Sequence, residues 1–492
     1  MMDHEITSVR LLTNLDWLYP ELCEVIRLFL GDIPITPDAG ERILKHIHEE
    51  NSGEWIETAC IEGGILKTHT VKAVYGGLEE KRTLKRAAKT AVFLLMSETM
   101  NRMPPWGSLT GIRPTRLIYE GMTRGMSLDE AEKWVQEEFF VSSEKASLLK
   151  EIVTMQEGII NPPDDTFDLY IGIPFCVTRC AYCSFASGEI GNGKLTEPYV
   201  NALIQEIRET AAFMNKLGLR LRAGYMGGGT PTSLSASQIG RILDVAMNEF
   251  PGAAEWTVEA GRPDTIDKEK LLTLKKNGVD RISVNPQTFN DETLKVIGRR
   301  HTSEETLAAF RLARELGFDH INMDLIAALP GETFEDFKRT LSIVTDLNPE
   351  SVTVHSLAIK RSSKLHEQLT VQGTSHNQAD CETADRMIRY ARNTLSEGGW
   401  HPYYLYRQKY MAGNLENVGY AKRGKACLYN IGNMEETAKV LALGAGAISK
   451  WIFPRERRIE RAPNVKNIEQ YIARVHEMTE RKKKLILEED NA

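Results

Sequence analysis

Leu169-Tyr-Ile-Gly-Ile-Pro-Phe-Cys-Val-Thr-Arg-Cys-Ala-Tyr-Cys183 is the stretch whose reading decides the fold. Its first half is an apolar run that reads as a strand. Its second half sets Cys176, Cys180 and Cys183 at x3 and x2 spacing, the pattern of a loop that wraps thiolates around a metal centre. Three ligands are one too few to close a four-iron cluster, so one iron would be left able to bind and reduce something else. Chance thiols, a zinc site and a redox CxxC are the competing readings. Zinc calls for a fourth Cys or His nearby, and Tyr170 to Ser187 contains no fourth ligand.

At 492 residues and 55.4 kDa the chain is too long for one ordinary core, so two or three domains are expected. Hydrophobic content of 42% and charged content of 26% describe a folded chain, and a net charge of −7 argues against a nucleic-acid partner, whose footprint is basic. The start, Met-Met-Asp-His-Glu, lacks the charged-then-apolar pattern of a secretion signal, and no run approaches the apolar length of a membrane span. A cytoplasmic protein is the expectation. Cys23, Cys60, Cys381 and Cys427 are scattered outside the trio and do not suggest a disulfide framework, which agrees with a reducing compartment.

Residues 1–160 read as an α+β domain. Helical spacing covers Leu15 to Leu30, two strands over Trp55 to Val74 meet at Gly63-Gly64, and a helix runs from Glu79 to Met100 with Ala88, Val92 and Leu95 inward. Ser127 and Glu130 have capping-box spacing and open a helix through Glu138. Between these lies the turn-rich Pro104–Thr115, and Arg113 within it and Arg116 just after it either meet an anionic substrate or are solvated or structural. Asn161-Pro-Pro-Asp-Asp165 marks a boundary.

From Asp168 strand and helix signals alternate, which predicts an α/β fold with a parallel sheet. Strands are expected at Leu169–Ile173, Ala223–Met226, Trp256–Ala260, Arg281–Asn285, His320–Ala327 and Ser351–Ala358. Six repeats over residues 165–365 suit a partial barrel, with chemistry at the carboxyl ends of its strands. Residues 366–462 are expected as a C-terminal module and 463–492 as a helical tail, with Arg481-Lys-Lys-Lys484 on a solvated face. Leu443-Gly-Ala-Gly-Ala-Ile-Ser449 is either a turn beside substrate or a packing turn.

Motif residues fall at the predicted strand ends. Gly227-Gly-Gly-Thr-Pro-Thr232 lets backbone approach a ligand closely and lacks the Lys and spacing of a phosphate loop. Glu259 stands after the third strand, Gln287 and then Gly298-Arg-Arg-His301 after the fourth. Asp324 is a carboxylate among apolar neighbours at the fifth, where a ligand, hydroxyl or cation must satisfy it.

In this order, over roughly residues 165 to 360, these stretches resemble the oxygen-independent coproporphyrinogen III oxidase family of radical S-adenosylmethionine (SAM) enzymes. The long N-terminal extension is similar to the branch called coproporphyrinogen dehydrogenase. The resemblance implies a partial (β/α)6 radical SAM barrel and a [4Fe-4S] cluster held by Cys176, Cys180 and Cys183, whose electron cleaves SAM to a deoxyadenosyl radical. It also implies Tyr170, Tyr182, Gly228 and Glu259 around a first SAM, and Gly229, Thr230, Gln287, Arg299, Asp324 and Ala358 around a second. Tyr403 matches a further SAM position by a loose count. No catalytic side chain is assigned.

The implied partners are coproporphyrinogen III or a related tetrapyrrole and a reducing electron donor. Arg299, Arg262 and Arg113 are the available charge partners for substrate carboxylates. The alternative is a haem-binding, chaperone-like member without decarboxylase activity; a radical SAM enzyme for another substrate is a third reading. Phe185 stands where the oxidases have another cysteine, a departure shared with the chaperone-like members. Against that, Cys427-Leu-Tyr-Asn-Ile-Gly-Asn433 lacks the His and Trp of the chaperones' His-Asn-x-x-Tyr-Trp motif, although Cys or Tyr can also hold haem.

Overall fold

In the computed structural model, which describes residues 6–183, 187–358, 378–408, 415–453 and 458–487, the first sheet has the order β2-β1-β3-β4-β5. Its strands are β1 (Val9–Thr13), β2 (Ile35–Thr36), β3 (Arg42–Asn51), β4 (Glu54–Ile61) and β5 (Leu66–Lys72). The expected hairpin at Gly63-Gly64 is β4–β5; β3 on its other side was not foreseen, because five of its ten residues are exposed and its apolar alternation is short. Helices Tyr19–Leu30 and Gly77–Thr99 cover this sheet, and Leu11, Val25, Ile26, Leu44, Ala88, Val92 and Leu95 share one core. Ser127 and Glu130 form the predicted reciprocal cap of Leu128–Phe139. The chain divides into two units, Met1–Lys150 and Glu151–Ala492.

The second unit is built on β6 (Thr166–Ile173), in which seven of eight residues are buried, as a strand covered on both faces requires. The loop after it carries the short β7 (Phe175–Cys176) and β8 (Gly188–Glu189). Then follow β9 (Arg220–Gly228), β10 (Glu255–Val258), β11 (Arg281–Ser283), β12 (Ile321–Ala327) and β13 (Ser351–Ser356). Helices Thr196–Met214, Ala236–Glu249, Lys268–Lys276, Ser303–Glu315 and Phe334–Leu347 separate them in the predicted alternation. Ser235, Thr302 and Thr333 cap three of these with capping boxes, which fixes where each helix leaves its loop.

The six parallel strands are joined by more of the chain. Added are β14 (His401–Tyr406), β15 (Asn417–Ala421), β16 (Val440–Leu443), β17 (Ile448–Phe453) and β18 (Arg458–Pro463), giving eleven strands in the order β14-β15-β13-β12-β11-β10-β9-β6-β16-β17-β18. β16 runs parallel to β6, with Val440 opposite Asp168, and is thus a seventh parallel strand beyond the six predicted. The outer strands are antiparallel and, among the described residues, the sheet does not close on itself. Residues read as a separate C-terminal module therefore share one sheet with the barrel.

The tail forms helices Ile468–Ala473 and Val475–Leu487. The solvated reading of Arg481–Lys484 fails at Lys482, which is fully buried. Its ammonium donates to Glu206 at 2.6 Å, Asn464 Oδ1 at 2.7 Å and the Met478 carbonyl at 3.1 Å. Glu206 also accepts from Gly444 N at 2.7 Å and the Tyr471 hydroxyl at 2.6 Å. The glycine-rich turn is thereby a packed one: Gly444 has φ +101°, and a β-carbon there would lie 2.4 Å from the Gly172 carbonyl.

Candidate functional site

The cysteine loop is held by its own backbone. β7 and β8 pair across it, Ala181 N donates to the Ile297 carbonyl at 2.9 Å, Cys183 N to the Cys180 carbonyl at 3.1 Å, and Ile190 N to the Cys176 carbonyl at 2.8 Å. Cys176, Cys180 and Cys183 are half-buried and form no disulfide. The Thr230 hydroxyl donates to Cys176 Sγ at 3.6 Å and Arg262 Nη1 to Cys180 Sγ at 4.0 Å. Among the described residues no three Cys, His, Asp or Glu side chains converge on the position of a single ion. Phe185 lies outside the described residues.

Beside the loop, the ends of β6, β9 and β10 meet. A β-carbon on Gly227 would lie 2.7 Å from the Glu259 carboxyl, one on Gly228 3.2 Å from the Tyr170 hydroxyl, and one on Gly229 2.5 Å from the Phe175 carbonyl. At Gly229 the backbone carbonyl leaves no room for a β-carbon, and Gly228 has a φ of +108° that other residues rarely adopt. Glu259 accepts from the Tyr225 hydroxyl at 2.5 Å. Desolvation raises its carboxyl to about 7, with Tyr225 pulling down and the charge of Asp324 adding to the rise. Tyr225 stacks on Tyr429 at 4.4 Å, and Tyr170 lies near-parallel to both at 6.3 and 6.1 Å.

A second set joins β11, β12 and β13. Asn285 and Asn322 amides donate to the two oxygens of Asp324, each at 2.7 Å, and His355 Nε2 is 3.9 Å away. Burial pushes the Asp324 carboxyl up, but His355, Asn322 and Thr353 outweigh it and hold the group below its ordinary value. The hydrogen-bond donors expected for this carboxylate are thus side chains of the protein. Gln287, at φ +64°, is pinned by its N–H to the Asp324 carbonyl at 2.9 Å and by its own carbonyl accepting from Ile326 N at 3.0 Å. Arg299 is buried; it donates to the Asn285 carbonyl at 2.9 Å and the Tyr182 hydroxyl at 3.3 Å, and its Nε has no partner. One chain of contacts therefore links Tyr182, Arg299, Asn285, Asp324 and Gln287. Ala358 lies two residues beyond β13. Tyr403 is instead buried against Tyr404, its hydroxyl accepting from Asn430 at 3.3 Å.

A model of the Radical SAM superfamily matches residues 170–344. The Bacillus subtilis oxygen-independent coproporphyrinogen-III oxidase-like protein HemZ is 39% identical over 435 residues, covering 86% of this chain and 85% of that one. The chain belongs to the oxygen-independent coproporphyrinogen-III oxidase-like family of radical SAM proteins. Within this oxidase-like family, the solved Escherichia coli coproporphyrinogen III oxidase HemN superposes with a TM-score of 0.51 at 25% identity, covering 68% of this chain and 73% of that one. The Bacillus subtilis heme chaperone HemW is 32% identical over 281 residues, 56% of this chain and 69% of its own.

The cofactors of this oxidase-like radical SAM protein are a [4Fe-4S] cluster and SAM. The residues present fit both: three unlinked, half-buried thiols lie on one loop, and glycines, a carboxyl and an unpartnered buried guanidinium N–H stand beside it. Tyr225, Asn285 and Tyr429 were missed. Tyr225 was legible, three residues ahead of Gly228 on the strand already predicted. Tyr429 was not, because it reaches the site from a stretch far along the chain that carries no motif of the barrel.

Proposed function

We infer that this chain catalyses oxygen-independent oxidative decarboxylation of coproporphyrinogen III to protoporphyrinogen IX in haem biosynthesis. The observation that carries the reading is likeness over 86% of the chain to a protein named as oxygen-independent coproporphyrinogen-III oxidase-like. Each of two propionates loses a hydrogen atom from its β-carbon, a molecule of carbon dioxide and an electron taken by an external acceptor. The cluster and SAM, when bound, supply the one-electron chemistry that makes such a carbon reactive.

The chain's own residues bind and orient. Cys176, Cys180 and Cys183 hold the cluster; Tyr170, Tyr182, Gly228 and Glu259 line the first SAM, with Tyr225 keeping the Glu259 carboxyl in place. Gly229, Thr230, Gln287, Arg299, Asp324 and Ala358 surround a second. Arg262 has no free edge for substrate, since its guanidinium is bonded to Asp264 and to the Thr178 backbone. An electron donor reduces the protein, and substrate sits at the strand ends, where water is excluded.

The heme chaperone likeness favours a second reading, haem handling without decarboxylation. Within the stretch that bears on it, Cys427 is wholly buried and donates to Glu255 at 3.1 Å, with burial raising its thiol to about 12. It is a poor axial ligand. Reconstituted protein assayed anaerobically with reductant, SAM and coproporphyrinogen III should give deoxyadenosine and vinyl product in coupled amounts by mass spectrometry. Deoxyadenosine without vinyl product, together with stoichiometric haem uptake, would replace the oxidase reading with the chaperone one.

A further inference from the structure

The strand end beside the cysteine loop carries a buried arginine that grips the loop from outside. Arg262, just after β10, is 3% exposed. Its Nε and Nη2 donate to the two oxygens of Asp264 at 3.0 and 2.7 Å, a bidentate pair that fixes the plane of the guanidinium. Nη1 is thereby aimed at the loop. It donates to the Thr178 carbonyl at 3.0 Å, the Thr178 hydroxyl at 2.8 Å and Cys180 Sγ at 4.0 Å.

The charge around Cys180 is one-sided. Arg299, also buried, reaches Tyr182 two residues further along the same loop. Asp264 offsets only one of these two guanidiniums. His301, 2% exposed with Nδ1 3.8 Å from Asp264, adds no charge near neutral pH, because burial and Arg299 lower it to about 4. A net positive charge is therefore buried beside Cys180, whereas Cys176 receives a neutral hydroxyl from Thr230.

We propose that Arg262 is a positioning residue that sets the reduction potential of the cluster by donating an N–H to Cys180 Sγ and placing its charge against that corner. The proposal rests on Cys180 being a cluster ligand. Reduction adds one electron to a group that its thiolates already make negative. A donor and a cation fixed at a sulfur favour the reduced form, and a low-dielectric setting strengthens both effects. Arg262 thus makes the cluster easier to reduce, so a weaker electron donor suffices. Asp264 acts by orienting the fork.

The test compares full-length wild type, Arg262→Lys and Arg262→Gln, each reconstituted anaerobically, by iron and sulfide content and by redox titration followed by electron paramagnetic resonance. At a fixed reductant potential the ratio of reduced to oxidised cluster should fall about tenfold in Arg262→Gln, about 59 mV for a one-electron couple. Arg262→Lys, which keeps the charge but loses the fork, should fall between that variant and wild type. Potentials equal to wild type in variants that hold a full cluster would overturn the proposal. Where Arg262→Gln takes up no iron, Arg262→Lys decides alone, an unshifted potential overturning the proposal and a lowered one sustaining it. Cys180→Ala, run in parallel, should lose the cluster. If it keeps a normal one, the ligand reading itself fails, whatever the Arg262 variants do.

Discussion

Glu259 is the residue at which the site's electrostatics become measurable. Its carboxyl is raised from 4.5 to about 7, so between those values the folded protein binds a proton that the unfolded chain has released. The group's effect on folding therefore runs downward as pH rises across that window, with no further change above it. Ligand binding runs the other way. A hydroxyl or ammonium of SAM donating to Glu259 favours the ionised form, so below pH 7 a proton leaves on binding. Affinity for SAM should strengthen by up to about tenfold per pH unit as pH rises towards 7 and then level off. Calorimetric titration of reconstituted protein across that range checks it. Glu259→Gln should bind about tenfold more weakly and lose the pH dependence, and a wild-type profile as flat as the variant's would remove Glu259 from the ligand's reach. Residues of this kind were legible wherever chemistry dictates both type and spacing. A metal centre of the kind proposed dictates the spacing of its cysteine trio, and a β-carbon on Gly229 would lie 2.5 Å from the Phe175 carbonyl. Tyr429 meets the same site by ring stacking, and Tyr225 by stacking and one hydroxyl donated to Glu259, contacts that fix no sequence spacing and leave no motif.

Among the elements, the last helix does more than its sequence announces. Lys482 on Val475–Leu487 meets Glu206 on Thr196–Met214, both fully buried, and Glu206 in turn holds the turn at Gly444 next to β6. Lys482→Met removes one partner and leaves an unpaired carboxylate in the core, which should destabilise by about 3–5 kcal/mol. The double variant Lys482→Met with Glu206→Leu should recover much of that loss, because no orphaned charge remains. Urea unfolding of the two variants separates the cases, and equal losses would mean that the pair acts through volume alone. The lysine run looked solvated because charge composition gives no depth; only the fold reveals that one of three adjacent lysines points inward. The β/α repeats were legible for the opposite reason. Strands buried on both faces must be apolar throughout, and helices over them must be amphipathic, so the strand signal recurs six times and the helix signal five. β16 escaped because its parallel partner β6 lies far back in the chain, joined to it by no nearby repeat.

At the scale of the whole molecule, every residue given a role in cluster or SAM binding lies between 170 and 358, inside the unit Glu151–Ala492. The unit Met1–Lys150 has its own sheet and its own core, so the two units should unfold as separate cooperative transitions. A ligand stabilises only the unit whose folded form binds it, by about 2.7 kcal/mol at a concentration one hundred times its dissociation constant. Adding SAM to the reconstituted protein should therefore slow hydrogen exchange in core amides of β6, β9, β10 and β12, while those of β1, β3 and β4 stay unchanged. Mass spectrometry of the exchanged peptides reads both units in one sample. Slowing of equal size in the first sheet would mean that the N-terminal unit is coupled to the cofactor site.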